Sequence, residues 1–141
     1  MVDYDLQQIY ELWMEAWNED VSVLKQITAP DCRVHQARMD GKSSDMIKGV
    51  EALETIITEG ASFFDNVEMT LEVGPIINEN YMAARWNFFG LYKGGMPGAK
   101  AKIGEKINFK GMDIFRVENG KIQEYWVSSD GIHLMEQLGM F

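Results

Sequence analysis

Between residues 111 and 139 the chain reads GMDIFRVENGKIQEYWVSSDGIHLMEQLG, a run that leaves few folds open. Apolar residues alternate through Met112-Asp113-Ile114-Phe115-Arg116-Val117, stop at Glu118-Asn119-Gly120, and alternate again through Ile122-Gln123-Glu124-Tyr125-Trp126-Val127. Alternation sends successive side chains to opposite faces of a strand, and an Asn-Gly break between two such runs marks an antiparallel hairpin. Asp113 stands out, because aspartate is disfavoured in strands.

The turn sets the register, and a shift of one residue exchanges the faces. With Asn119-Gly120 alone as the loop, Asp113 opposes Trp126. With Glu118-Asn119-Gly120 as a three-residue turn and Gly120 left-handed, Asp113 opposes Tyr125, Gly111 opposes Val127, and Phe115 shares that face. The other face then carries Met112, Ile114 and Trp126, with Arg116 diagonal to Glu124 and within reach of an ion pair.

Upstream, Leu6, Ile9, Tyr10, Trp13, Met14 and Trp17 form one stripe at helical spacing, with Asp3 as a suitable N-cap. A short helix over 21–27 follows, stopped by Ala29-Pro30-Asp31, and a brief strand is predicted over 32–36. Residues 37–49 are polar and irregular, whereas Val50, Leu53, Ile56 and Ile57 give a helix over 50–59 ended by Gly60. Residues 66–77 alternate as a strand with one wet face, and Asn78-Glu79-Asn80 turns the chain into a strand over 81–92 that is apolar on both sides. Gly94-Gly95-Met96-Pro97-Gly98 opens a loop expected to be mobile. Its glycines do not make a phosphate cradle, since a strand follows instead of a helix and Lys100 and Lys102 lack the Ser/Thr partner. Helices thus come first and four long antiparallel strands follow, with a helical turn at 131–138, which is an α+β order in one domain over 1–141. A strongly curved antiparallel sheet wrapped around about three N-terminal helices leaves a central pocket, where small ligands bind.

Composition narrows the partners. The chain of 141 residues is 46% hydrophobic, with seven Phe, four Trp and five Tyr, enough for a substantial core. Thirteen basic against 22 acidic residues leave a formal charge of −9, so nucleic acid and anionic membranes are repelled by the average field. No stretch approaches the roughly 20 apolar residues of a membrane span, and the start reads as neither signal peptide nor anchor, so a cytoplasmic location is expected. Cys32 is the only cysteine, which excludes an intramolecular disulfide and a cysteine-based metal cluster. With His35 nearby but no positioned third group, Cys32 is read as a packed thiol rather than a nucleophile. Two histidines without neighbouring carboxylates at ligand spacing predict no bound metal.

With these elements in order, the chain resembles the SnoaL-like polyketide cyclase branch of the nuclear transport factor two-like superfamily, whose members have a cystatin-like cone. The residues that carry the likeness are Trp17-Asn18, Val23-Leu24, Ala29-Pro30-Asp31 with His35, Gly49, and Ala84-Arg85-Trp86 before Gly90. To these are added Asp113-Ile114-Phe115-Arg116, Gly120-Lys121-Ile122, Glu124 with Trp126, Asp130, and Gln137-Leu138-Gly139. The resemblance implies a bent sheet closed by three helices over an apolar pocket, and a homodimer through the outer sheet face. It also implies ring closure by an intramolecular aldol reaction without metal or cofactor, using a carboxylate on the last strand and a nearby histidine. Aligned on Gly120-Lys121-Ile122 and Gln137-Leu138-Gly139, this chain puts Val127 where that carboxylate lies and Asp113 where that histidine lies.

Asp113, beside Phe115 and Tyr125 in an aromatic pocket, would have its charged form disfavoured and be suited to moving a proton next to a carbonyl; alternatively it accepts hydrogen bonds and only fixes the strand. His35 is the candidate partner base or donor, because imidazole titrates near neutral pH, against a structural role. Asp130 matches the family pattern and also sits where the closing helix needs an N-cap, while His133 falls on a solvated helix face. Trp17, Trp86, Phe88, Phe115, Tyr125 and Val127 are candidate pocket walls, implying a flat, largely apolar or aromatic ligand with a carbonyl or hydroxyl rather than a sugar phosphate. Arg85 and Asn87, with Met112, Ile114 and Trp126, form the candidate pairing surface; the chain's own loops are the other possible cover. Two functions fit: a cofactor-independent cyclase, isomerase or hydratase with Asp113 as acid/base, or a non-catalytic dimeric binding protein for an apolar metabolite.

Overall fold

The computed structural model describes residues 4–37 and 47–141. Helix α1 (Leu6–Asn18) begins at a capping box: Asp5 accepts the Gln8 N–H at 2.8 Å, and the Gln8 side chain accepts the Asp5 N–H at 3.0 Å. Asp3, the expected cap, lies outside the described residues, and Asp5 takes that role. A 3₁₀ turn and the short α2 (Leu24–Ile27) lead into β1 (Thr28–Gln36), and α3 (Val50–Ala61) follows. Four strands come next: β2 (Phe64–Asn78), β3 (Tyr81–Tyr92), β4 (Lys106–Glu118) and β5 (Lys121–Ser129), with α4 (Gly131–Gln137) last. The irregular segment expected over 37–49 lies mostly outside the described residues.

The sheet is open and runs β1-β5-β4-β3-β2. Its four long strands pair antiparallel as expected, but β1 lies parallel to β5, so the sheet is mixed rather than purely antiparallel. Strand β1 also starts earlier than expected, running through Ala29-Pro30-Asp31 instead of breaking there. Its register skips between Thr28 and Arg33, which absorbs the missing N–H of Pro30 at the edge of the sheet. Helix α3 likewise runs past Gly60. The Trp17 ring lies against that residue, and a Cβ there would come within 2.9 Å of it.

The β4–β5 turn is the two-residue Asn119-Gly120, both with positive φ (55° and 69°), but an irregularity at Arg116/Val117 leaves Gln123 extra in β5. Neither expected register holds. Asp113 faces Val127, Phe115 faces Tyr125, and Arg116 faces Glu124 directly, with Arg116 Nε donating to Glu124 Oε1 at 3.1 Å. Because the shift from the three-residue-turn reading is an even number of residues, the faces survive: Asp113, Phe115, Tyr125 and Val127 share the inner face.

On that face Met82, Ala84, Trp86 and Phe88 of β3 alternate as buried residues with their outward neighbours, and Gly111, Asp113, Phe115 and Val117 do so in β4. One apolar cluster lies between α1, α2, α3 and this face; a second forms around Phe64, Met69, Trp86, Phe88, Ile107 and Leu138. Met14, Trp17 and Val127 touch both. Asn18 ties α1 to the sheet, accepting the Met69 N–H at 2.7 Å and donating to the Met69 carbonyl at 2.9 Å. The 93–105 loop, expected to be mobile, is held: the Lys100 and Ala101 N–H groups donate to the Leu138 carbonyl, and Met96, Ala99 and Ala101 pack on the second cluster.

Candidate active site

Alternation along β4 delivers one carboxylate to the inner face, and Asp113 is 2% exposed there. Its neighbours come from three elements. Strand β5 supplies Val127 directly opposite and Tyr125, whose hydroxyl donates to Asp113 Oδ2 at 3.2 Å. Strand β3 supplies Ala84 opposite on the other side. Helix α1 supplies Tyr10 and Trp13, which with Phe115 and Tyr125 form an aromatic cage: Trp13 lies 5.4 Å from Phe115 and 4.9 Å from Tyr125, and Tyr10 lies 6.0 Å from Phe115.

The electrostatics follow from this enclosure. Burial pushes the Asp113 carboxyl up from 3.8 to about 7, against the smaller opposing pull of the Tyr125 hydroxyl. The Trp13 indole N–H also favours the charged form, although it falls short of ordinary hydrogen-bond geometry. Burial and the Asp113 charge both raise Tyr10 and Tyr125, so these phenols stay protonated as donors. Asp113 Oδ1, the Tyr10 hydroxyl and the Trp13 indole nitrogen are buried without a hydrogen-bond partner among the described residues. A carboxyl near half-ionisation at neutral pH, with one oxygen held and the other free, can both accept and return a proton.

The structure does not bring His35 to Asp113. In β1 it is Val34 that sits beside Tyr125, and His35, one residue on, points to the outer face beside Trp126. There its Nε2 lies 2.7 Å from Glu124 Oε2 and its ring stacks on Trp126, with 5.1 Å between centroids and 16° between planes. Through this contact first, and through Arg116, the Glu124 carboxyl is held below its ordinary range. The parity of a strand, which a lone histidine before an unplaced register does not reveal, separates the two candidates.

The expected wall residues divide. Phe115 and Tyr125 belong to the Asp113 cage, whereas Trp86 and Phe88 lie in the second cluster, Trp86 5.7 Å from Phe109 and Phe88 6.2 Å from Trp17. Around Asp113 the inner face is filled by side chains. Val127, half-buried, lines a groove of about 380 Å³ with Gln36, Ala37, Ser129, Ile132, Leu134 and Met135, and is at the same time the Cα partner of Asp113. That groove draws its lining from the ends of β1 and β5 and from α4, and Asp113 is not part of it.

Asp130 precedes α4 but makes no side-chain cap; its carboxylate is 3.4 Å from Arg85 Nη2. His133 is exposed, as expected. Burial pushes the Cys32 thiol up to about 12, in keeping with a packed, unreactive side chain. No group of three or more His, Cys, Asp or Glu residues able to hold a metal occurs among the described residues. Sequence reasoning missed Tyr10 and Trp13 as neighbours of the carboxyl; their hydroxyl and N–H on an otherwise apolar stripe were the available signal.

The described residues contain no helix long and apolar enough to cross a membrane. None of the curated proteins matches the chain. Among solved structures, TsrD from Streptomyces laurentii superposes with a TM-score of 0.80 at 26% identity, covering 99% of this chain and 100% of its own. IdmH from Streptomyces antibioticus, described as a candidate polyketide cyclase, gives 0.82 at 21% identity over 96% and 99% of the two chains. AclR from Streptomyces galilaeus, described as a candidate hydroxylase, gives 0.72 at 20% identity over 97% and 99%. Residues 7–138 match the sequence profile of the SnoaL-like polyketide cyclases, nearly the whole chain, and the protein belongs to that family.

Proposed function

We propose that this protein binds a flat, largely apolar carbonyl compound and acts on it by acid/base catalysis, as a cofactor-independent cyclase, isomerase or hydratase, with Asp113 as the proton-transferring group. The supporting observation is the Asp113 carboxyl: buried, raised to about 7, and with Oδ1 unpartnered. An ionised Asp113 takes a proton from the carbon next to the carbonyl; the C–H electron pair becomes the C=C of an enolate, and the protonated acid returns the proton elsewhere or after bond formation. Val127, in the position where the family's carboxylate lies, contributes shape and no proton.

A second reading, a non-catalytic dimeric binder of an apolar metabolite, is favoured by that same Val127 and by the 2% exposure of Asp113. In both readings the outer sheet face pairs two copies: Met112 and Ile114 are 55% and 45% exposed, beside Trp126, with Arg85 and Asn87 on the same face. A cytoplasmic setting, in which the thiol of Cys32 stays reduced, completes the proposal.

Exchange of the α-hydrogens of 2-tetralone with deuterated solvent, followed by NMR, tests the reaction. The wild-type protein accelerates the exchange, and Asp113→Asn abolishes the acceleration while still binding the ketone. Unchanged acceleration in the variant removes Asp113 from the reaction, and binding without acceleration by the wild type selects the non-catalytic reading.

A further inference from the structure

Within the cage, Asp113 Oδ1 and the Trp13 indole nitrogen are both buried and both without a hydrogen-bond partner among the described residues. Buried polar groups are nearly always paired in folded proteins, and those that are not call for a reason. Trp13 is 0% exposed and packs in one apolar cluster with Phe115 and Tyr125. Its ring lies 4.9 Å from that of Tyr125, whose hydroxyl donates to Asp113 Oδ2. The indole N–H is itself close enough to the carboxyl to favour the charged form, while short of a formed hydrogen bond. Helix α1 and strand β5 thus each aim a donor at one carboxyl, and only the β5 donor has made its bond.

The hydrogen-bonding capacities of the groups account for the open pair. An indole N–H can only donate. A neutral carboxyl has one oxygen that accepts and one that carries the proton, and Tyr125 donates to Oδ2. The proton of the neutral acid therefore belongs on Oδ1, where an O–H and an N–H meet and neither finds an acceptor. Loss of that proton turns Oδ1 into a charged acceptor. Tyr10 from α1 and Tyr125 from β5 are the titratable groups that face Asp113, and both stay protonated; β3 presents Ala84 and β5 also Val127. No charged side chain among the described residues contributes to its ionisation.

We propose that Trp13 is the positioning residue of Asp113: on ionisation its indole N–H closes on Oδ1 as a charge-assisted hydrogen bond, and on protonation it lets go. The contact joins α1 to β4, so ionisation draws the helix against the strand and fixes the oxygen that the neutral acid leaves loose. The role deepens the acid/base reading, since it acts on the carboxylate that this reading uses, but it does not itself require turnover. A Trp13 that only fills space has the opposite signature. A smaller ring there admits water, which hydrates the charge and lowers the Asp113 midpoint, whereas losing a donor to the charged form raises it.

The chain has four tryptophans and so four indole N–H signals in ¹H–¹⁵N spectra. That of Trp13, assigned through its contacts with the Phe115 and Tyr125 rings, is expected to move downfield as pH rises, with the same midpoint as the Asp113 carboxyl carbon. The indoles of Trp17 and Trp86, whose nitrogens are also buried and unpartnered among the described residues, are expected to hold still. Asp113→Asn is expected to abolish the movement, and Trp13→Phe to raise the Asp113 midpoint by about one to two pH units. A Trp13 signal that moves no further than those of Trp17 and Trp86, a movement that persists in Asp113→Asn, or a midpoint unchanged or lowered in Trp13→Phe overturns the proposal. So does a raised midpoint in Tyr10→Phe with none in Trp13→Phe, which would make Tyr10 the donor. Should Trp13→Phe not fold, the wild-type and Asp113→Asn spectra decide. Titration of Asp113 near 7 without movement of the indole refutes the Trp13 contact and leaves the acid/base reading in place. An indole that follows Asp113 in a wild type that catalyses no exchange of 2-tetralone refutes catalysis and leaves the contact standing.

Discussion

Replacing Asp113 by asparagine should make the protein's stability less sensitive to pH, by an amount the structure sets. The carboxyl titrates near 7 in the folded protein against 3.8 ordinarily, because burial disfavours its charge. Between those values the native state keeps a proton that the unfolded chain has released. The stability associated with Asp113 is therefore complete below about pH 4, falls as pH rises, and is gone above about 7, at a slope of about 1.4 kcal/mol per pH unit. The whole span is roughly 4 kcal/mol, and the part between pH 5 and pH 8 roughly 3 kcal/mol. Asparagine has nearly the same shape and no charge at any pH. Urea unfolding of both proteins at pH 5 and pH 8 should show the variant gaining roughly 3 kcal/mol on the wild type between the two conditions, on the order of 10 °C in melting temperature. Comparing the two proteins cancels the titration of every other group. A stability difference that does not change with pH would mean that Asp113 is ionised in the folded protein at both, and the enclosure argument would fail.

Tyr125→Phe removes the hydroxyl that donates to Asp113 Oδ2 at 3.2 Å, so the Asp113 midpoint should move further up and the variant should lose about 1.5–3 kcal/mol above neutral pH, with a smaller loss at pH 5, read by the same unfolding experiment. Ile114→Glu places a charge on the outer face, at a side chain 45% exposed and opposite Trp126; sedimentation at micromolar concentration should show a wild-type dimer and a monomeric variant with an unaltered fold, and identical sedimentation of the two would exclude this face as the interface.

How much could be read without coordinates varies with the kind of interaction. The helices of the amphipathic stripe and the strands with clean alternation were legible, since periodicity alone marks Trp13 as inward and Ile114 as outward from the Asp113 face. Strand pairing was not. The parallel partner of β1 and the extra residue Gln123 depend on how the sheet closes over α1, and nothing local to either strand encodes them. That is why Asp113 is opposite Val127 rather than Trp126 or Tyr125, the partners of the two registers considered, and why His35 belongs with Glu124 and Trp126 on the far face. Asp113 itself was conspicuous as an aspartate in an apolar strand. The glycine beside it was not, since the need for Gly111 arises only from the Trp86 ring laid across it, a contact between strands.

Direct titration of the Asp113 carboxyl decides most. With ¹³C-labelled aspartate, the side-chain carbon of residue 113, assigned by its loss in Asp113→Asn, should shift with a midpoint near 7. A midpoint near or below the ordinary 3.8 would show a carboxylate charged at all working pH values and would contradict the acid/base role proposed for it.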